Sequence, residues 1–315
     1  MKILLLDGYT LFQEDIDWSP LSQCGAVEFK ERIHRNELYS CDSETEVLIT
    51  NKALVGLPEL DYFKNLKLVI VSATGYNCVD VKACAAKNIP VCNVSGYGTY
   101  SVAQHALSML LHYSNQVAIH DASVKRGEWA SNKDWSYTLS AITEWYGKTL
   151  GIIGMGNIGS CYAGMTESMG MKVIYHHTKD LELPKRTFVD LDTLAATSDV
   201  ISLHCPLNDK TDKMINASFL SKMKSSALLI NTSRGGLIDN LALRDALLDN
   251  KIAAALLDVL DQEPPPADHP LVGLPNAIIT PHIAWISIEA RRRIFAVIQS
   301  VLAAFQQGKI INRVN

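Results

Sequence analysis

The sequence predicts an α/β protein made of two doubly wound parallel-sheet domains, and three observations carry that expectation. Short apolar runs of strand length recur along the chain between polar or amphipathic stretches, the alternation that gives a parallel sheet covered on both faces. A glycine-rich turn, Gly154-Met155-Gly156-Asn157-Ile158-Gly159, stands between one such run and a small-residue stretch of helical character. The length, 315 residues, exceeds what one small core organises, so two domains are the natural division.

Composition narrows the class. Hydrophobic residues make up 48% and charged residues 20%, ordinary for a soluble globular protein. A net charge of -4 argues against a nucleic-acid groove, which needs a basic footprint. The longest apolar runs, such as Ala253–Leu257, are far too short to span a bilayer, so no membrane partner is expected. Ile3–Leu6 follows Met1-Lys2 like the start of a signal peptide. It stops at Asp7-Gly8 without a small-residue cleavage site and reads as a first strand. Seven scattered cysteines without a CxxC pair suit a reduced, cytoplasmic setting, with Cys78, Cys84, Cys92 and Cys205 as small packing residues and no metal site.

In order along the chain, strands are expected at Lys2–Leu6, Ala26–Lys30, Val47–Thr50, Leu68–Val71 and Val91–Asn93, alternating with helices. In Asn77–Lys87, residues Val79, Val81, Ala83, Cys84 and Ala86 could line a packed face. Gly96-Tyr97-Gly98 reads as a hinge-like connection. Ser101–Ile119 reads as one long helix, apolar enough through Val102, Ala103, Ala106, Leu107, Leu110 and Leu111 to lie buried between domains. Residues 127–145 are aromatic and irregular, suited to wrapping over a neighbouring surface. Six further strands are expected from Thr149 onward, the others at Val173–Tyr175, Val200–Leu203, Ala227–Asn231, Ala254–Leu257 and Ala277–Thr280. Asp190–Ala196, Ala217–Lys222 and Leu241–Asp249 read as the helices between them. A final helix, Ile288–Gln307, carries Ile294, Ile298, Val301, Leu302 and Phe305 on one face and stops at Gly308.

The glycine turn has the form of a dinucleotide site. Gly154 permits the tight bend, Gly156 lets backbone amides approach a pyrophosphate, and Gly159 lets helix and strand pack closely. The helix N-terminus then offers unpaired N–H groups to the phosphates. Ligands of such sheets sit outside the carboxyl ends of the strands. That rule selects His204-Cys205-Pro206, Asn231-Thr232-Ser233-Arg234-Gly235-Gly236, Asp258 to Glu263, and Pro281-His282-Ile283-Ala284-Trp285. Singly, Arg234 would be a solvated loop arginine, Glu263 a surface acid and His282 a packing histidine. Together at one sheet edge they form a set suited to hydride transfer to a carbonyl. Arginine supplies a planar cationic donor pair, histidine a proton near neutral pH, and a carboxylate holds the imidazole in one tautomer.

Gly154-Met155-Gly156-Asn157-Ile158-Gly159, Asn231-Thr232-Ser233-Arg234-Gly235-Gly236-Leu237-Ile238-Asp239, Glu263-Pro264-Pro265 and Thr280-Pro281-His282-Ile283-Ala284 resemble the signatures of the D-isomer-specific 2-hydroxyacid dehydrogenases, in the same order and over essentially the whole chain. The resemblance implies that Arg234 orients the substrate, His282 is the acid/base, Glu263 is its partner and Asp258 contacts the nicotinamide carboxamide. It implies a carboxylate-binding loop at Ala73-Thr74-Gly75-Tyr76-Asn77, an anion nest of backbone amides. Cofactor contacts are implied at Gly154, Gly156, Asn157, Ile158, Gly159, His177, Cys205, Pro206, Thr232, Ser233, Asp258 and Ala284. The family's architecture implies a discontinuous substrate domain, a flavodoxin-like unit of residues 1–98 and 286–315, and a Rossmann dinucleotide-binding domain over 99–285, with a cleft between them. It also implies a homodimer built through residues 101–145.

Within the family, Ser95–Thr99, Glu263–Asp268 and His282–Trp285 look most like the glycerate dehydrogenases, also called hydroxypyruvate reductases, which implies reduction of hydroxypyruvate or glyoxylate. Formate dehydrogenases of the family carry glutamine where Glu263 stands. One departure concerns the coenzyme. NAD users place an acid after the second strand for the ribose 2′-hydroxyl, whereas this chain reads Tyr175-His176-His177-Thr178-Lys179 before Asp180. His177 and Lys179 would tolerate a 2′-phosphate, so NAD(H) and NADP(H) both stay open. A dinucleotide-sensing, corepressor-like protein is the rival reading. It would be expected to carry extended tails, whereas this chain begins and ends within its expected elements. A methyltransferase would leave Arg234, Glu263 and His282 unexplained.

Overall fold

The computed structural model describes residues 1–11, 15–34 and 37–315, which divide into two compact units. One comprises residues 1–98 with 286–315 and the other residues 99–285.

In the first unit β1 (Lys2–Leu5), β2 (Ala26–Phe29), β3 (Val47–Thr50), β4 (Leu68–Val71) and β5 (Val91–Asn93) form a parallel sheet in the order β2-β1-β3-β4-β5. Strands β3 and β4 are buried at every position, which is why they read as continuous apolar runs. Helix α1 (Leu57–Tyr62) joins β3 to β4 and α2 (Val81–Ala86) joins β4 to β5. The alternation is less regular than expected, because short 3₁₀ turns stand in the connections that flank β2. The amphipathic stretch 77–87 also shrinks to α2, because Asp80 caps it by accepting from Ala83 N at 2.9 Å. Val79, Ala83 and Cys84 are buried, and Ala86 is exposed.

In the second unit α3 (Thr99–Asn115) is followed by α4 (Val117–Lys125). The single helix expected over 101–119 is therefore two, broken at Gln116, whose φ of 46° is left-handed although neither glycine nor proline marks the place. After the break His120 anchors the irregular segment that follows. Its Nδ1 donates to Gln116 O at 2.8 Å and its Nε2 accepts from Leu139 N at 3.0 Å. Helix α3 packs on α5 (Asn157–Ser168) within its own unit, and Leu111 is exposed.

The sheet consists of β6 (Thr149–Ile153), β7 (Lys172–His176), β8 (Thr187–Phe188), β9 (Val200–Leu203), β10 (Leu228–Asn231), β11 (Ala254–Leu257) and β12 (Ala277–Ile279). Its order is β12-β11-β10-β9-β6-β7-β8, all parallel. Seven strands stand where six were expected. The extra one, β8, is two exposed residues on the edge and too short to read as a strand. The remaining helices are α6 (Leu191–Thr197), α7 (Ala217–Leu220) and α8 (Asn240–Leu248). Alternate strand residues feed opposite faces: Ile153, Leu203 and Leu229 join one core, Ile152, Val200 and Ile230 the other.

The chain returns to the first unit as α9 (Ile288–Gln306), capped by Ser287 at Ala290 N. Ile294, Ile298, Val301 and Leu302 are buried, while Arg291 grips Asp15 with both guanidinium nitrogens at 2.6 and 2.5 Å. At its end Lys309 N donates to Ala304 O and Gly308 N to Phe305 O, a Schellman closure with Gly308 at φ 71°. Among the described residues no helix is long and apolar enough to cross a membrane.

Candidate active site

The turn after β6 shows why its residues are glycines. Gly154 has a φ of 98°, and a Cβ there would lie 2.5 Å from Cys205 N; at Gly159 a Cβ would meet Gly154 O at 2.4 Å. Beside Gly156 the space is open. Helices α6 to α9 have their N-termini capped by side chains of Asp190, Asn216, Asp239 and Ser287, but Gly156, the residue before α5, has none to offer. The amides of Asn157 and Ile158 are thus left for an anion. The residues fit a dinucleotide pyrophosphate.

Around this turn Cys205 is buried, and burial pushes its thiol up to about 11, so it packs rather than reacts. Ser233 Oγ donates to Cys205 O at 2.6 Å, joining the loops after β9 and β10. Thr232 is buried beside it, and Pro206 is exposed. At the end of β7 the ring of His176 donates to Val189 O at 3.0 Å and stacks on Phe188, whereas His177 stays partly exposed and Lys179 exposed. Asp180, the first acid after β7, accepts from Tyr175 OH at 2.5 Å and from Glu182 N at 2.9 Å. Those hydrogen bonds, Tyr175 first, hold its carboxyl below the usual range.

The loops after β11 and β12 bring two of the three expected catalytic groups into contact. His282 Nδ1 donates to Glu263 Oε2 at 2.6 Å, and Glu263 Oε1 accepts from Leu260 N at 3.1 Å. The carboxylate is held at both oxygens and fixes the imidazole so that Nε2 is the other, outward nitrogen. Arg234 lies on the neighbouring loop. Gly235 beside it fits tightly against the Leu260–Asp261 peptide, where a Cβ would approach within 1.9 Å of Leu260 C. The Arg234 side chain is exposed and donates from one guanidinium nitrogen to Ser233 O at 2.7 Å.

His282 adopts a φ of 54°, a left-handed conformation rarely taken by a side-chain-bearing residue. Such strain persists only where surroundings over-determine it. Asp258 supplies them. Its carbonyl accepts from His282 N at 2.9 Å, its Oδ1 from Ile283 N at 2.9 Å and Thr280 Oγ1 at 2.6 Å, and its Oδ2 from Ala284 N at 2.9 Å. Burial pushes the Asp258 carboxyl up, but the hydrogen bonds from His105, Thr280, Ala284 and Ile283 outweigh it and hold the pKa below its ordinary value. Asp258, which the family resemblance gives to the nicotinamide carboxamide, is in this chain also the anchor of the histidine turn.

Two members of that anchor, Ser101 and His105 on α3, escape a reading by strand ends. Their only trace in the sequence is a pair of polar residues four apart, on a helix face that also carries Gln104, Ser108 and His112 and so does not single them out. In the first unit Ala73–Tyr76 follows β4. Asn93 Nδ2 donates to Thr74 O at 2.8 Å and Val94 N to Ala73 O at 3.1 Å, and among the described residues no protein acceptor takes the amides of Thr74, Gly75 or Tyr76.

A doubly wound sheet with a glycine turn before an uncapped helix, and a carboxylate-held histidine at the same unit's loops, defines a dinucleotide-dependent oxidoreductase class. The comparisons are specific. Residues 107–284 match the family described as D-isomer specific 2-hydroxyacid dehydrogenase, NAD binding domain, and the chain belongs to that family. It is 40% identical over 321 residues to a protein named hydroxypyruvate reductase from Blautia hydrogenotrophica, covering 100% of both. It is 40% identical over 266 residues to one named glycerate dehydrogenase from Methylorubrum extorquens, covering 84% of this chain and 83% of the relative. Among solved structures it resembles an NADPH-dependent glyoxylate/hydroxypyruvate reductase from Sinorhizobium meliloti, with a TM-score of 0.84 and 27% identity over 99% and 97% of the two chains. These are names of enzymes, not of a sensing protein. The chain is an NAD(P)-dependent dehydrogenase that transfers a hydride between a nicotinamide dinucleotide and a small 2-hydroxy or 2-keto acid.

Proposed function

We propose that this enzyme reduces a short 2-keto acid, hydroxypyruvate or glyoxylate, to the D-2-hydroxy acid. The observation that carries the reading is the His282–Glu263 pair at 2.6 Å, on a turn of the unit that also carries the glycine cradle. Relatives named for hydroxypyruvate, glycerate and glyoxylate support the substrate class. When bound, the reduced nicotinamide supplies the hydride. His282 gives the proton at Nε2 to the carbonyl oxygen while Glu263, accepting from Nδ1, stabilises the imidazolium beforehand. Arg234 binds the carboxylate and carbonyl oxygen through its planar donor pair. The first unit is the substrate unit, with the free amides of Thr74, Gly75 and Tyr76 as the carboxylate nest. The second is the dinucleotide unit, with Gly154, Gly156, Asn157, Ile158 and Gly159 on the pyrophosphate, His177 at the ribose and Cys205, Pro206, Thr232, Ser233, Asp258 and Ala284 around the rest.

A steady-state panel of 2-keto acids against NADH and NADPH tests both substrate and coenzyme. The expected result is highest kcat/KM with hydroxypyruvate or glyoxylate, and NADPH accepted because His177 stands where NAD users place the ribose acid, with the Lys179 cation nearby. Preference for a bulky keto acid would overturn the substrate assignment.

The working form is a cytoplasmic homodimer joined through residues 101–145. The apolar exposure there supports it: Leu111, Val117, Ile119, Trp129, Trp135 and Ile142 are all exposed on this one stretch. Sedimentation should give twice the chain mass, and Val117→Lys with Ile142→Asp should give the monomer. A wild-type monomer at micromolar concentration would refute the interface.

A further inference from the structure

Helix α3 reaches the histidine turn through two side chains one turn apart. Ser101 Oγ donates to Ala284 O at 2.7 Å. His105 Nε2 lies 3.0 Å from Thr280 Oγ1 and 3.4 Å from Asp258 Oδ1. The direction of these bonds follows from the inventory of hydrogens. Thr280 has one hydroxyl proton and gives it to Asp258 Oδ1 at 2.6 Å. Its oxygen must therefore accept, so His105 carries a hydrogen on Nε2. The chain of donation runs His105 to Thr280 to Asp258, and Asp258 in turn receives three consecutive amides, those of His282, Ile283 and Ala284. Asp258 is 1% exposed, so its anionic form depends on the donors to its carboxylate, Thr280, Ile283 and Ala284, while the His282 amide binds its main-chain carbonyl.

We propose that His105 is a positioning residue for the reaction: acting through Thr280 and Asp258, it holds the 280–284 turn in the left-handed form that aims His282 at the substrate carbonyl. The proposal rests on the acid/base role of His282 set out above. Neither His105 nor Thr280 touches the reacting atoms in this account. His105 acts through Thr280 and, at 3.4 Å, on the Asp258 carboxylate itself, and its loss loosens the aim of the imidazole rather than removing a substrate contact. Misplacing a reacting group by about 1 Å costs on the order of 10²-fold in rate, so the effect belongs in kcat.

The experiment compares His105→Leu, His105→Gln and Thr280→Val with wild type. Readouts are kcat and KM for the best keto acid, dinucleotide affinity by tryptophan quenching, and melting temperature. For His105→Leu and Thr280→Val, kcat is expected to fall by roughly 10- to 100-fold while KM and dinucleotide affinity change by less than about threefold. Glutamine offers an N–H to Thr280 Oγ, so His105→Gln should regain most of the rate. The double variant should lose no more than either single one, because both break the same chain.

A His105→Leu enzyme with wild-type kcat would overturn the proposal. So would a leucine variant no more impaired than the glutamine one, or losses in the double variant that simply multiply. A destabilised leucine variant leaves Thr280→Val, nearly isosteric, to decide by the same criteria. If wild type turns over no keto acid, the functional reading itself has failed; if wild type is active and the variants match it, only His105's role has.

Discussion

At the scale of residues, the site separates a preformed part from a responsive part. Glu263 is bonded at both carboxylate oxygens and His282 at Nδ1, so the imidazole we propose as proton donor is held in one orientation. Arg234 is exposed and donates to a neighbouring carbonyl, and in the proposed reading its planar donor pair takes the substrate carboxylate. The two therefore fail differently when removed. His282→Ala should cut kcat by about 10²- to 10⁴-fold with substrate KM little changed, the range general acid catalysis supplies. Arg234→Lys keeps the charge but loses the fork. It should raise KM and lower kcat together, for a loss in kcat/KM of at least about 10²-fold. Both variants should bind dinucleotide normally. Steady-state kinetics beside a quenching titration check this, and near-normal turnover in either would remove its assigned role.

At the scale of elements, what the sequence disclosed depended on whether a local signal determines the local conformation. Strands β3, β4, β9 and β11 were legible to the residue because parallel strands buried on both faces are uninterrupted apolar runs. The end of α9 was legible because Gly308 is needed there for its left-handed φ. The glycine turn was legible because steric exclusion at Gly154 and Gly159 admits no other residue. The break between α3 and α4 was not, since Gln116 carries no intrinsic preference for φ 46°. The gain comes from contacts made later in the chain, such as His120 with Leu139. Strand β8 was hidden by its shortness. His105 and Ser101 were hidden because their partners, Thr280 and Ala284, lie more than 170 residues away, and no periodicity within a helix records such contacts. The residues proposed as catalytic lie in loops after strands, where the sequence points; the helix residues that hold those loops carry no such signal.

At the scale of the whole molecule, the groups that build the dinucleotide unit also set its acid limit. His204 follows β9 at the Gly154 turn, with its Nε2 2.9 Å from Ser202 Oγ and its ring 5.5 Å from that of Tyr162. Burial of the ring pushes its imidazole down from 6.5 to about 4, although part of the residue remains accessible. The folded state thus holds His204 neutral where the unfolded chain would protonate it. Above pH 6.5 neither state binds this proton and the group contributes nothing to pH dependence. As pH falls from 6.5 towards 4 only the unfolded state gains it, so stability is lost across that window, by at most about 3 kcal/mol. Asp258 works in the same direction but lower. Its folded pKa lies below the ordinary 3.8, so its contribution stands above that value and is lost only as the pH drops beneath it. The two windows separate the causes. Urea unfolding between pH 7 and 4.5 should show wild type losing stability steadily, and His204→Asn, which keeps a polar partner for Ser202 but cannot titrate, should show a flatter profile. Parallel losses in the two proteins would place the acid sensitivity elsewhere. A flat variant profile would assign the acid sensitivity between pH 6.5 and 4 to His204, whose peptide lies against Gly154 in the glycine turn.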